Sequence, residues 1–442
     1  MFKKIAKKIM ITLLSIIGLL IITYLLFTSF YPSFGGNITK EQQLIYNKSK
    51  QFKDGKFKNT NPVPKELSFS ETMKLAYTFF STKVPNGRPK ENLKPTQLDS
   101  TKVADYKGKT RMIWFGHSSF LLQIDGKNIL LDPMFGKVAA PHPLLGANRF
   151  NKDFPLAIEK LPQIDAVIFS HDHYDHLDYN SVLKIKDKTK HFYVPLGVGT
   201  HLKSWGVTST NITELDWWQE TQLDSLKLVC TPAQHFSGRK LNNNQSTLWS
   251  SWVIKSKTET IYFSGDSGYA SHFKEIGKQY GPFDLALLEC GQYNEKWSDI
   301  HMMPEETAQA GVDLGASKIM PIHWAGFKLA LHDWKDPIKR VKIKAEELNI
   351  DTTWDESFSA GVSNTGVGVA SEDYTYQGET VDSIQDHLRW QMDLTPFSDT
   401  DRAIATAIID AIDDAGYLTV SAEEILESVG GEDVELDEVE AV

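Results

Sequence analysis

The nonapeptide SHDHYDHLD at residues 170–178 places three histidines and three aspartates in nine positions. Imidazole and carboxylate are the ligands of catalytic zinc sites, which keep a coordination position open for water. In extended backbone, side chains two residues apart point the same way. His171 and His173 can therefore serve one ion, while Asp175 and His176, just past that turn, aim elsewhere. Of the aspartates left over, Asp172 is expected to face solvent and Asp178 to start the next turn. Three more candidates follow: His235, Asp266 and His323. Seven ligands exceed one tetrahedral ion, but they suit two ions sharing a bridging carboxylate. Asp266 sits in SGDSG, where Gly265 and Gly268 allow the close backbone approach such a bridge needs. A lone His-rich loop is more often a solvated surface; the later partners argue against that here.

These residues need elements to deliver them. RMIWFGHSSFLLQIDGKNILLDPMF, from Arg111, is two β-rich runs broken at DGK, a hairpin signal. IDAVIFS is a continuous apolar strand leading into the histidine motif. LKLVCTPAQH, TIYFSGDSG, FDLALLEC and SKIMPIHW repeat that design, each an apolar strand with a polar residue at its tip. Helical stretches such as PEETAQAGVDLG intervene. Strands alternating with helices, reactive residues at the strand ends, is the layout of an α/β enzyme.

The N-terminus carries Lys3, Lys4, Lys7 and Lys8 ahead of an uncharged apolar run from Ile9 to Phe27. Those nineteen residues, at about 1.5 Å each, span roughly 28 Å, close to a bilayer core. FTSFYPSF is a poor signal-peptidase site, so residues 1–30 read as a single-pass anchor. The lysines place the N-terminus in the cytoplasm and the catalytic part on the periplasmic or extracellular side. Residues 31–105 read as a stalk and lead-in with one short helix around Glu71–Phe80, and 106–350 as the α/β domain that carries the candidate ligands. Two cysteines, Cys230 and Cys290, exclude a disulfide framework and leave room for one bridge at most. Charge divides sharply: residues 1–350 hold 45 basic against 34 acidic side chains, about +11, and 351–442 hold 2 against 23, about −21. Such a step suggests two segments of different origin. The acidic appendage reads as mainly helical, with a Ser398 cap, a Gly416 stop and a capping box from Ser421 to Glu424.

HxHxDH, the later strand-end histidine, SGDSG and PIHW resemble the metallo-β-lactamase superfamily. WFGHSSFLLQIDGKNILLDPMF, AAPHPLLGANRF, AQHFSGR, TLWSSWVI, DIHMMPEE and PIHWAGFKLALHDW resemble, in order, its N-acyl-phosphatidylethanolamine phospholipase D-like branch, over about residues 60–345. The resemblance implies an αββα sandwich with two zinc ions. One would be held by His171, His173 and His235, the other by Asp175, His176 and His323, with Asp266 bridging. Zinc over manganese or iron follows from ligand type. A hydroxide between the ions would attack a phosphodiester of an N-acyl phospholipid or related amphiphile, with Asp175, Asp266 and His301 taking part in catalysis. His301, in DIHMMPEE, is assigned to phosphate contact or proton transfer to the leaving group, against a competing role as helix cap. Asp132 is expected to orient a ligand histidine. His117 lies near the site in the family pattern, whereas Ser118 and Ser119 lack the GxSxG elbow of a serine nucleophile. His142, His191, His201 and His332 are expected to serve structure or substrate loops. Trp217, Trp218, Trp249, Trp252, Trp324 and Trp334 would form either an acyl groove or ordinary core. A lactonase or other ester hydrolase is the alternative within the superfamily.

The stretch from YQGETVDSIQDHLRW to DDAGYLTV resembles the polymerase core-binding region of enhancer-dependent bacterial sigma factors, as a fragment without promoter-binding parts. It reads as a fusion or misjoined segment. A sigma-factor-like polymerase-binding protein is the alternative of another class. With the anchor topology, neither RNA polymerase nor nucleic acid is an expected partner; a lipid substrate and the membrane are. The hydrolase family continues past AEELNI with a final strand, which the junction interrupts.

Overall fold

The computed structural model describes residues 2–62, 69–352, 388, 392, 398–413, 418–429 and 436–441. The chain divides into two compact units, Met1–Ser363 and Asn364–Val442. In the first, α1 (Phe2–Phe30) is followed by α2 (Lys40–Tyr46), which Thr39 and Gln42 close with a capping box. A two-residue hairpin, β1 (Phe52–Lys53) with β2 (Lys56–Phe57), precedes α3 (Phe69–Ser81) and α4 (Ser100–Ala104).

Two six-stranded sheets follow. The first orders β3 (Arg111–Trp114), β4 (Phe120–Ile124), β5 (Lys127–Leu131), β6 (Ile164–Ile168), β7 (Thr189–Pro195) and β8 (Ile212–Leu215). Its first three strands are antiparallel and the rest run parallel from β5. The β4–β5 turn is the one read from DGK: Asp125 and Gly126 both have positive φ, as a tight hairpin turn demands. The second sheet contains β9 (Glu220–Leu223), β10 (Leu226–Thr231), β11 (Ser251–Lys255), β12 (Thr260–Phe263), β13 (Leu285–Glu289) and β14 (Ile319–Ile322). It is antiparallel through β12, then parallel to β14.

The period of two along each strand divides apolar side chains between two faces. Phe120, Leu122, Ile129 and Leu131 point inward to meet Leu228, Trp252, Ile254 and Phe263 of the other sheet. The alternate residues Leu121, Leu130 and Val167 pack with Val182 and Ile185 of α5 (Tyr179–Ile185) and Leu202 of α6 (Gly199–Ser204). On the far side, Val229, Val253 and Tyr262 meet α7 (His272–Tyr280), α8 (Pro304–Leu314) and α9 (Asp336–Glu347). Burial on both faces explains why these strands read as unbroken apolar runs. The result is the expected αββα sandwich.

One expectation needs correcting. Residues 31–62 are no stalk: Ser33 and Phe34 are buried, Tyr46 and Phe57 are fully so, and Tyr46, Phe52 and Phe57 belong to the inter-sheet core. Their aromatic side chains are too apolar to leave in water once a sheet edge is within reach. Cys230 and Cys290 are separate, buried thiols. Past α9, Asp351 pairs with Lys318 alongside β14.

In the second unit, Asp399–Asp410 starts at a capping box between Ser398 and Asp401. Ser421 and Glu424 make the second predicted box, ahead of Ala422–Val429. Leu436–Ala441 completes a small apolar cluster of Ile404, Ile425 and Val439. Gly416 lies outside the described residues.

Candidate metal centre

The candidate ligands lie beyond the C-terminal ends of β6, β10, β12 and β14, and in the β3–β4 loop. Two close approaches bring these loops together. Gly265 has φ +57°, and a Cβ there would lie 2.4 Å from Cβ of Ser170, so glycine lets the loop bearing Asp266 touch the histidine loop. At Gly326 a Cβ would come within 2.6 Å of Cβ of His117.

Four ligand atoms form the first group. His173 Nδ1 lies 2.9 Å from His171 Nε2 and 3.2 Å from His235 Nε2. Asp266 Oδ2 is 3.7 Å from His171 Nε2 and 3.8 Å from His235 Nε2. A tetrahedral ion with bonds of about 2.0–2.1 Å separates its ligand atoms by about 3.3–3.4 Å, within this spread. In the second group, Asp175 Oδ2 is 3.0 Å from His117 Nε2, 3.1 Å from His323 Nε2 and 3.5 Å from His176 Nε2. The same Asp266 Oδ2 is 3.1 Å from His176 Nε2 and 3.3 Å from His323 Nε2. Two groups thus share one carboxylate oxygen. His176 Nε2 and Asp266 Oδ1 are buried without a hydrogen-bond partner. A buried polar atom with no partner is costly; converging imidazoles and carboxylates with such atoms fit a pair of divalent cations.

Outer partners aim the rings. Asp132 Oδ2 accepts from His176 Nδ1 at 2.7 Å and from Ser170 Oγ at 2.5 Å, while its Oδ1 accepts from Ser170 N at 2.7 Å. His235 Nδ1 donates to the Ile300 carbonyl at 2.9 Å. His323 Nδ1 faces Glu289 Oε2 at 3.0 Å, and the same oxygen is 3.3 Å from His301 Nδ1. Each bond turns the other ring nitrogen toward the cluster.

Burial, then the neighbouring imidazoles, holds His171 well below the usual histidine range. His235 is held well below it too, by burial and His301. Burial lowers His173 as well. Burial also opposes charge on His176, but Asp266, Asp175 and Asp132 outweigh it and hold the ring well above that range. His323 likewise is pushed up to about 10, burial being overcome by Asp266, Asp175 and Glu289. Against burial, the surrounding histidines hold Asp175 and Asp266 well below the carboxylate range.

All seven residues expected as ligands converge. His117, expected only near the site, stands inside the second group, its ring pushed down to about 3 by burial and by His323. His301 lies with Asp266 and His323, its ring stacked 5.4 Å from that of His323. It does not cap the helix, because Met303 occupies that position. Glu289 was missed, though FDLALLEC marks it as the polar tip of a buried strand. Asp172 is a correction: it is fully buried, accepting from Gly238 N at 2.9 Å and facing His201 Nε2 at 3.3 Å. The Asp172 side of the loop packs on Gly238, Arg239 and His201, so alternation sent Asp172 inward. Asp178 starts α5, accepting from Ser181 N at 2.8 Å.

Ser119 Oγ is tied to the Asp132 carbonyl at 2.6 Å. His191 pairs with Thr213, and His332 stacks on Tyr293. Trp217, Trp249 and Trp252 are inter-sheet core, whereas Trp324 and Trp334 stack beside a small hollow lined by Phe150 and Phe327.

Sandwich and site together define a metal-dependent hydrolase. Residues 127–324 match the family described as beta-lactamase superfamily domain. N-acyl-phosphatidylethanolamine-hydrolyzing phospholipase D 1 of Caenorhabditis elegans is 31% identical over 257 residues, 54% of this chain and 72% of that protein. The chain belongs to the metallo-β-lactamase superfamily, in the branch that includes that relative. Among solved structures, Igni18, a metallo hydrolase from Ignicoccus hospitalis, is 22% identical with a TM-score of 0.41, covering 55% of this chain and 93% of its own. Residues 373–442 match the sigma-54 factor core binding domain. There the Vibrio anguillarum RNA polymerase sigma-54 factor is 57% identical over 110 residues, 25% of this chain and 22% of that protein.

Proposed function

We propose that this protein is a membrane-anchored hydrolase that uses two divalent ions, zinc by ligand type, to cleave a phosphodiester of an N-acyl phospholipid or a related amphiphile. The observation that carries the proposal is the pair of ligand groups joined at Asp266 Oδ2. The relative named for hydrolysing N-acyl-phosphatidylethanolamine supports the substrate class. His171, His173 and His235 would hold one ion, and Asp175, His176 and His323 the other, with Asp266 between them. Two such ions supply a water-derived nucleophile near neutral pH and Lewis acidity toward phosphoryl oxygens. The chain contributes the rest. Neutral rings on His171, His173 and His235 present lone pairs, and the carboxylates of Asp175 and Asp266 stay ionised. His301, with Nδ1 toward Glu289, can present Nε2 to the leaving-group oxygen and hand it a proton.

The test is turnover of the zinc-loaded, full-length protein on N-acyl-phosphatidylethanolamine in vesicles and on an N-acyl lactone. Release of phosphatidic acid is expected; opening of the lactone alone overturns the phosphodiester reading in favour of a lactonase. Helix α1 (mean hydropathy 2.7 over its most apolar window) is long and apolar enough to cross a bilayer, which supports the anchor. On this topology the sigma-like tail meets no polymerase, so co-purification of core RNA polymerase with the chain would overturn that part.

A further inference from the structure

The junction between α1 and the hydrolase is built, not loose. Phe27, the last residue of the uncharged run, and Tyr31 hold their rings 6.3 and 5.4 Å from that of His142. Trp205 Nε1 donates to the Pro32 carbonyl at 2.7 Å, and the buried Arg239 donates from Nε and Nη2 to the Ser33 carbonyl at 2.9 and 2.6 Å. The same guanidinium bonds the carbonyls of Asp172 and Leu177 and lies 4.0 Å from the ring centre of Tyr174. Asp172 and Tyr174 alternate with the metal-facing residues of the histidine loop. Phe34 meets Tyr174 edge-on at 6.4 Å.

This fixes how deep the domain sits. Phe27 lies three residues, about 4.5 Å, inside the end of α1 at Phe30. A loop that touches Phe27 therefore reaches the headgroup level of any bilayer that α1 crosses. Beside that contact are large apolar side chains that the fold leaves uncovered. Leu144 and Leu145 are 87% and 61% exposed, two and three residues from His142, and Leu241 is 85% exposed. Leu241 lies two residues from Arg239, which binds the Ser33 carbonyl, and follows Lys240, whose Nζ reaches Asn37 Oδ1 at 3.1 Å, so it too sits by the chain leaving α1.

We propose that Leu144, Leu145 and Leu241 are immersed in the leaflet where α1 emerges, so that the metal cluster draws its amphiphilic substrate from that same bilayer. The proposal rests on the reading of α1 as a membrane anchor and of the site as a lipid hydrolase. The occupant is lipid rather than a second protein copy because His142, two and three residues from the exposed leucines, packs on Phe27 in α1 and on Tyr31 just beyond it. The cost of holding that apolar surface in water disappears on immersion.

Both native cysteines are buried, so Leu145→Cys in the full chain can be labelled selectively with an environment-sensitive dye. The control is Lys257→Cys, in the β11–β12 turn at the opposite end of the strands from the cluster. The proteins are reconstituted in phosphatidylethanolamine–phosphatidylglycerol vesicles containing a shallow doxyl-lipid quencher. Expected are a blue-shifted dye at position 145, quenched about two-fold, and an unquenched dye at 257. Flotation with the vesicles reports α1 insertion separately. A chain that floats with dye 145 still in water overturns the docking and leaves the anchor standing; one that does not float overturns both. A blue-shifted dye that the lipid does not quench means another protein copy covers the patch, which also overturns the proposal.

Discussion

Replacing Asp266 by alanine removes the oxygen that both ligand groups approach, at 3.1–3.8 Å from four imidazole nitrogens. The expected result is a fall in bound zinc from about two to about one per chain, read by elemental analysis, with loss of turnover. A variant that keeps two ions would show that the bridge is unnecessary. Protons give a second prediction. In the metal-free protein the carboxylates keep His176 and His323 protonated near neutral pH, the latter to about 10. An ion entering that group must displace about two protons, so its affinity should fall about a hundredfold for each unit the pH drops. The first group, with rings held below the usual range, should release almost none. Calorimetry in buffers of different ionisation enthalpy separates the two events. Glu289→Gln, which weakens the acceptor for His323 and His301, should cost 10–100-fold in affinity at the second group, roughly the effect of losing an outer partner. The seven candidate ligands were legible in the sequence, four of them by the spacing of the histidine motif and three as polar residues at strand ends. Glu289 and the inclusion of His117 were not. Both depend on contacts between distant segments: His117 N donates to the Trp324 carbonyl, and Glu289 Oε2 meets His323 Nδ1.

At the scale of elements, strands were the easiest part to read. Their apolar runs are buried on both faces, and the DG turn permits few alternatives. The segment after α1 misled because Lys, Asn and Pro dominate it, while its few aromatics, Phe34, Tyr46 and Phe57, do the packing. Arg239 gave no local signal either, since every carbonyl it binds belongs to another segment. It ties the histidine loop to the chain leaving α1. Arg239→Met should leave the carbonyls of Ser33, Asp172 and Leu177 unpaired at a cost of about 3 kcal/mol. The variant should unfold at lower temperature and bind its first ion more weakly, because His171 and His173 flank Asp172. Unchanged unfolding in a thermal scan would mean water replaces the guanidinium at no cost.

Over the whole molecule, charge divides the chain before structure does: about +11 over residues 1–350 and about −21 over 351–442. Every proposed ligand, and every residue found to orient one, precedes Ile350. The compact units divide a little later, between Ser363 and Asn364. The interval matters, because its first residue, Asp351, joins the hydrolase next to Ile350. Ile350 packs on the outer core of α8 and α9, its N donating to the Ala345 carbonyl at 2.9 Å. Ile319 N donates to the Asp351 carbonyl at 3.1 Å, extending the sheet past β14. Two truncations should therefore differ. Ending the chain after Ser363 removes the sigma-like unit and should leave two ions bound and unfolding within about 0.5 kcal/mol of the full chain, since no ligand or core residue is lost. Ending it after Asn349 removes the edge pairing and the Ile350 side chain, and should cost about 2–3 kcal/mol. Thermal unfolding and zinc content of both, in the same detergent, decide the matter. A large loss on the first cut would mean the hydrolase has come to depend on the acidic unit. Equal stability of the two would mean that the edge formed at Asp351 contributes nothing to the fold.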